Sequence, residues 1–418
     1  MKNLLIIYPH WAPSNLAGVH RSRLISNFLT QFGWQPHILT VKSEFYEEKL
    51  DFDLLKTVNT STKVYYTNAM KPPKYIRFFG DIALRAMPNL YNAAKKIIKE
   101  QQIDFIWIPI PSFYTAILGR LLHGKTKIPY GIDYIDPWVN GFVDYEKPFS
   151  RAWLSNQLAS KLEPFSVKKA SLISGVSTAY YQGVLDRNFK NKKIEHVGMP
   201  YGFDPNDHEI KLENIELPWK MHENCKAWVY AGAFLPKSHS FLQILFESIN
   251  ELRIENKWDE SIRLYFLGTG SYKAQSIAQY AKENQLDDIV VEDRSRFGFL
   301  DILNFLAASA GVLVIGSTEK HYTASKIFQS LLSKKPVLAV FHQESSAVKI
   351  LTESKADAYL TKFSPKETKQ LFKERIKENL YNFAHSNKEW KPEFSNLDKY
   401  SAKSSAKALV DKLDLIIS

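Results

Sequence analysis

Thr323, Ser325 and Lys326 carry the most specific chemistry in this sequence. They open a helix expected over residues 324–333, for which Thr323 and Ser325 are candidate caps. Lys326 then falls in the first turn, where positive charge is electrostatically disfavoured. A bound anion removes that penalty, because backbone N–H groups, hydroxyls and an ammonium converge on it. A phosphate is the simplest such anion. The competing reading is an ordinary capped helix with a solvated lysine.

Such a cluster needs a scaffold. Residues 311–315 and 336–340 have the length and β-branched content of buried strands, so strand, polar loop, helix and strand form one α/β unit. Gly268 and Gly270 follow an expected strand at 263–267 and permit close approach of a ligand. Asp136 follows the carboxyl end of a strand at 129–135, where open α/β folds place their sites. An Asx-turn role before Pro137 is its alternative.

A chain of 418 residues points to two domains. The single cysteine, Cys225, rules out an internal disulfide and fits a reducing compartment. The apolar run at the N-terminus is brief and ends at Pro9, which favours a first strand over a signal peptide. No stretch has the apolar length of a membrane span, so a cytoplasmic protein, or one peripheral on the inner face of the cell membrane, is expected. The net charge of +11 fits nucleic acid, an anionic membrane or a phosphorylated substrate. No zinc-finger pattern or nucleic-acid reader is present, so the last two remain.

The chain opens with a strand at 3–8, a loop, Gly18, a helix at 19–32 and a strand at 37–41. This is the start of a Rossmann-like half, but without the GxGxxG fingerprint a nicotinamide cofactor is not indicated. Segment 71–100 interleaves lysines and arginines with Tyr75, Ile76, Phe78, Phe79, Leu84 and Met87. It reads either as a face for an anionic membrane or as amphipathic helices packed on the sheet. Pro109–Pro111 are expected to end the strand that begins at 104. A linker is placed at 198–218, after which the strand-and-helix rhythm repeats.

The run T-A-S-K-I-F-Q-S-L-L-S-K-K-P-V-L-A-V resembles the donor-site helix of retaining GT-B glycosyltransferases of the GT4-like group. Members commonly read P-S-K-hydrophobic-x-E-Y-x-x-x-G-K-P-V there. The likeness extends over nearly the whole chain. P-x-x-x-x-G-V-H-R-S-R is similar to the group's first loop, D-P-W to its D-x-W-like element, and G-M-P-Y-G-F-D-P to the element that ends the first domain. The resemblance implies an α/β GT-B fold, with two Rossmann-like domains facing a cleft. Residues 1–200 would bind acceptor, 201–390 the donor, and the helix in 391–418 would cross back.

It also implies site roles. Gly18 would let backbone approach a ligand, and His20, Arg21 and Arg23 would line the acceptor side unless they form a solvated helix face. Asp136 would orient an acceptor hydroxyl or take its proton, with Asp133 as second choice, and Trp138 would stack on a sugar. Lys237 and Lys326 would hold the donor pyrophosphate, with Ser325 beside them. Gly268 and Gly270 match the group's G-x-G element, and the loop of Arg294 and Arg296 would meet the nucleobase.

Three departures stand out. Two glutamates that many members carry eight positions apart are His321 and Gln329 here. Gln329 retains an amide for a ribose hydroxyl. His321 would contact the sugar or neutralise diphosphate charge, and Glu319 would substitute in part if the loop bends. Lys334 replaces the usual glycine before K-P-V, which implies a different helix ending.

The implied reaction moves a sugar, with retention and without a metal, from a UDP- or GDP-linked donor to a hydroxyl of a glycan or lipid-linked acceptor in surface polysaccharide or lipopolysaccharide synthesis. No cofactor beyond that donor is expected. The alternatives are a nucleotide-sugar epimerase of the same form and a non-catalytic sugar-nucleotide binding protein.

Overall fold

The computed structural model describes residues 1–71, 81–139, 148–190, 192–222, 224–271, 275–320 and 326–418. The chain divides into two units: Met1–Asp204 with Lys399–Ser418, and Pro205–Asp398.

Short apolar runs build the first unit's sheet. Its strands are β1 (Lys2–Ile7), β2 (Trp34–Val41), β3 (Lys63–Thr67), β4 (Phe105–Ile110), β5 (Tyr130–Tyr134), β6 (Leu172–Gly175) and β7 (Glu195–Gly198). All pair in parallel, in the order β3-β2-β1-β4-β5-β6-β7. Every residue of β4 and β5 is buried, as a parallel sheet covered on both faces requires. The helices are α1 (Ala17–Leu29), α2 (Ile82–Gln101), α3 (Ala116–Thr126), α4 (Arg151–Val167) and α5 (Thr178–Asn188).

Two expectations change here. Pro109 lies inside β4 rather than ending it. The register with β1 runs only from Leu4 opposite Phe105 to Ile6 opposite Trp107, so the missing Pro109 N–H falls beyond that ladder. Within 71–100, Tyr75, Ile76, Phe78 and Phe79 lie outside the described residues. The remainder is mostly α2, which turns Ile82, Ala86, Leu90, Ala94 and Ile97 into the core, as the packed reading has it. Asp81 caps α2 by accepting from Ala83 N at 2.7 Å.

The second unit repeats the plan with β8 (Lys226–Ala231), β9 (Ile262–Leu267), β10 (Val290–Asp293), β11 (Gly311–Ile315), β12 (Val337–His342) and β13 (Leu360–Phe363). The order is β10-β9-β8-β11-β12-β13, again all parallel. Its helices are α6 (His239–Ile254), α7 (Ile277–Glu283), α8 (Phe299–Ala308), α9 (Lys326–Leu332), α10 (Ser346–Glu353) and α11 (Lys369–Ala384). After α9, Lys334 takes φ +61°, the left-handed conformation that a glycine would adopt there. The helix ending expected to differ is therefore kept, at a cost of about 1–2 kcal/mol for a side chain in that region.

The last helix, α12 (Ala402–Ile417), belongs to the first unit and packs on α1 and β7. Its buried face carries Ala402, Ala406, Leu409, Val410 and Leu413. Ser405 Oγ donates to Pro200 O at 3.0 Å, and Lys412 pairs with Glu195 at 2.7 Å. Leu409 is wholly buried, so Leu409→Ala would cost about 2–5 kcal/mol. Among the described residues no helix is long and apolar enough to cross a membrane.

Candidate functional site

In the second sheet the first strand, β8, lies between β9 and β11. Chains leaving β8 and β11 therefore diverge to opposite faces and leave a crevice at their carboxyl ends, the usual ligand position in open α/β sheets. The residues at this crossover are informative.

Gly232 directly follows β8 with φ +99°, and a Cβ there would stand 3.0 Å from Lys326 Cε and 3.3 Å from its Nζ. Only glycine satisfies both the backbone angle and that approach. A Cβ on Gly268, after β9, would lie 3.7 Å from Gly232 Cα. The two loops are tied by Gly232 N donating to Leu267 O at 2.7 Å and Phe234 N to Thr269 O at 3.0 Å. Lys326 thus extends from the start of α9 against the Gly232 backbone, which the Gly268 loop adjoins. Its Nζ donates to Tyr230 Oη at 2.9 Å and to Ala233 O. Burial lowers its pKa to about 7, because neither partner carries a charge to offset the lost solvation. It is not the freely solvated lysine of the competing reading.

Lys237 lies on the same β8 loop and pairs with Glu319 at 2.5 Å, both side chains being exposed. Two residues assigned separately from sequence thus meet. Gly270 has φ +79°, and its carbonyl accepts from Arg294 Nε at 2.9 Å, which fastens the Arg294 loop to the glycine loop. Gln329, one turn along α9 from Lys326, accepts from His208 Nε2 at 2.6 Å through Oε1. Burial lowers the His208 pKa to about 4, so the ring is neutral. His321 and Ser325, with Thr323, lie outside the described residues.

The first unit corrects several assignments. Gly18 is required by a protein neighbour, since a Cβ there would overlap the Tyr8 phenol. Arg21 is fully buried. Its Nε and Nη2 grip Asp133 Oδ2 and Oδ1 at 3.0 and 3.1 Å, and Nη1 donates to Pro200 O at 2.6 Å. Arg23 is also buried and donates to Thr57 O at 3.3 Å. These arginines are neither a solvated face nor an acceptor lining; Arg21 ties β5 to the chain leaving β7, and Arg23 anchors the turn that ends at Thr57. His20 pairs with Asn15 at 2.6 Å. Asp133, engaged by Arg21 and by Ser174 Oγ at 2.7 Å, has no access to a substrate proton.

Trp138 is 7% exposed and stacks on Phe113, with ring centroids 5.9 Å apart and planes 7° from parallel. That face is therefore taken by protein, not by a sugar. Asp136 remains exposed, and what burial it has raises its pKa.

Sequence reasoning passed over a second cluster at the β1/β4 crossover. Tyr8, His10 and Ser112 gather there with Glu48 and Asp81. Burial pushes the Tyr8 phenol far above its usual range. A signal was present, since P-H-W directly follows the first strand.

No family model matches the sequence, and no curated protein matches it. Solved structures share the fold. Anabaena HepE in complex with UDP and glucose aligns over 99% of this chain and 100% of its own, with TM-score 0.58 and 13% identity. An E. coli trehalose-6-phosphate protein bound with UDP-2-fluoro glucose aligns over 99% of both chains, with TM-score 0.60 and 11% identity. A putative UDP-N-acetylglucosamine 2-epimerase from Listeria monocytogenes aligns over 98% of this chain and 95% of its own, with TM-score 0.54 and 12% identity. The chain has a GT-B-type α/β fold of two Rossmann-like units and a long C-terminal helix.

Proposed function

We propose that this chain is a glycosyltransferase of the GT4-like kind, which transfers a sugar with retention from a nucleotide diphosphate sugar to an acceptor hydroxyl. The observation that carries this reading is the Lys326 side chain held against the Gly232 backbone at the second crossover, with the Gly268 loop alongside. Glycosyl transfer breaks the bond between the anomeric carbon and the diphosphate oxygen, and negative charge grows on the leaving nucleotide. An ammonium in a sparsely hydrated setting stabilises that charge strongly. Its present partners are neutral, so a diphosphate would be its first anionic one.

Lys237 supplies the second cation by leaving Glu319, because an exposed ion pair is worth only about 0–1 kcal/mol. The Arg294 loop meets the nucleobase and Gln329 reaches the ribose. In the first unit, Asp136 orients the acceptor hydroxyl. The acceptor is a glycan or lipid-linked sugar of surface polysaccharide synthesis, and exposed Lys96 and Lys99 support peripheral contact with an anionic membrane.

The test is a screen of UDP- and GDP-linked sugars with purified protein, reading nucleoside diphosphate release with and without glycoside acceptors. Release that needs both a particular donor and an acceptor, and that Lys326→Ala abolishes, supports the transferase. Conversion of the donor sugar without acceptor identifies an epimerase instead. Equal release by both proteins contradicts the assignment of Lys326.

A further inference from the structure

The β1/β4 crossover holds a histidine that the proposed reaction has not used. The loop leaving β1 is pinned on several sides: Trp11 N donates to Tyr46 Oη at 3.0 Å, Tyr46 Oη donates to Val41 O at 2.7 Å, and Asp51 N donates to Pro13 O at 2.7 Å. Ser14 also forms a β-bridge with Leu50. On this frame His10, 9% exposed, places Nδ1 2.9 Å from Glu48 Oε1, and its ring lies 4.8 Å from the Tyr46 ring.

The partner settles which nitrogen carries hydrogen. Burial would raise the Glu48 pKa, but hydrogen bonds from His10 and Ser14 outweigh it and hold it at about 2. An ionised carboxylate only accepts, so His10 donates through Nδ1. With Nδ1 committed to Glu48, Nε2 is the ring's remaining nitrogen, and no described residue hydrogen-bonds to it.

The surroundings select the ligand class. Tyr8, Ser112, Glu48 and the half-buried Asp81 supply hydroxyls and carboxylates. The nearby cation, Arg85, is committed to Glu47 at 2.8 Å and to Met70 O at 2.9 Å. An edge rich in oxygen acceptors favours a neutral polyhydroxylated molecule over a phosphate.

We propose that His10 is an acceptor-binding residue: Glu48 fixes its tautomer, and its Nε2 receives a hydrogen bond from a hydroxyl of a sugar bound at the carboxyl edge of the first sheet. The choice of a sugar acceptor rests on the proposed function; the tautomer rests on the His10–Glu48 contact and the ionised Glu48 carboxylate.

The test uses the full chain labelled with ¹⁵N-histidine, titrated with the octyl glycosides of glucose, mannose, galactose and N-acetylglucosamine. UDP and GDP binding are measured on the same samples. The expected result is a His10 ring protonated on Nδ1, with an Nε2 resonance that at least one glycoside shifts saturably. His10→Asn keeps a donor toward Glu48 but removes the Nε2 acceptor, and should weaken that glycoside about tenfold. His10→Gln restores an acceptor at the outer position and should recover part of the loss. Nucleotide binding should be equal in all three proteins.

A purely structural histidine would give the reverse order, with His10→Asn binding as the native chain does. That result, a proton on Nε2, or no saturable shift with any of the four glycosides would overturn the proposal. The titration of the native chain needs no variant, so it stands even if a substitution impairs folding. Failure of the native chain to bind UDP or GDP would count against the proposed function and leave the His10 readout intact.

Discussion

The two sheets share one strand order through six strands, yet their crossovers carry opposite chemistry. At the β8/β11 edge, the Gly232 backbone makes room for Lys326. At the β1/β4 edge, Tyr8, His10, Glu48 and Asp81 present oxygens and one ring nitrogen. The winding of the chain places a crevice in both units, and side-chain type decides what each can hold. On the proposed readings, the β8/β11 crossover takes an anion and the β1/β4 crossover a molecule that donates hydrogen bonds.

The hardest way to break this contrast is to remove the cation. Lys326→Ala should lower nucleotide release about 10²–10³-fold, the usual loss for a preorganised charge partner of a leaving group. Glycoside binding to the first unit should be unchanged, and a titration that moved both would dissolve the distinction. Gly232→Ala should come next, with about a 10–50-fold loss of release. A left-handed side chain costs about 1–3 kcal/mol, and its Cβ would push Lys326 aside. Activity unaffected by that change, measured beside the thermal midpoint, would show that the close approach does not matter.

The pH dependence sharpens the comparison further. With the Lys326 pKa near 7 by burial, the free site loses its charge as pH rises, whereas a bound diphosphate restores it. Nucleotide binding should therefore take up protons and tighten about five- to tenfold from pH 8 to pH 6.5, by the mass action of that one group. For stability the sign is opposite. The folded pKa lies below the unfolded value, so the unfolded chain binds more protons and the lysine destabilises the fold increasingly as pH falls toward 7. Calorimetry in buffers of different ionisation enthalpy measures the uptake, and no uptake at pH 7 would contradict the pKa assignment. Smallest of all, Glu319→Gln should tighten UDP or GDP binding about two- to threefold by freeing Lys237. Weaker binding would mean that Glu319 itself contacts the nucleotide.

What could be read from the sequence followed the range of the interactions. β11, Lys326 and β12 lie within 32 residues, and apolar runs separated by a polar loop announce themselves locally. Gly232 went unremarked because its reason, the approach of Lys326, lies 94 positions away. The Arg21–Asp133 pair spans 112 positions, so Arg21 looked like a helix-surface residue and Asp133 like a spare carboxylate. The pattern around Trp138 was visible, but its stacking on Phe113 depends on how β4 and β5 lie side by side. His10 and Glu48 are only 38 residues apart, yet their meeting depends on the β1–β2 register, which no local pattern specifies.

The most direct measurement is a crystal structure of the full chain with UDP or GDP bound. The account predicts phosphate oxygens within hydrogen-bond reach of Lys326 Nζ, with the diphosphate resting on the Gly232 and Gly268 backbones. A nucleotide bound anywhere else, with Lys326 still donating to Tyr230 and Ala233, would contradict it.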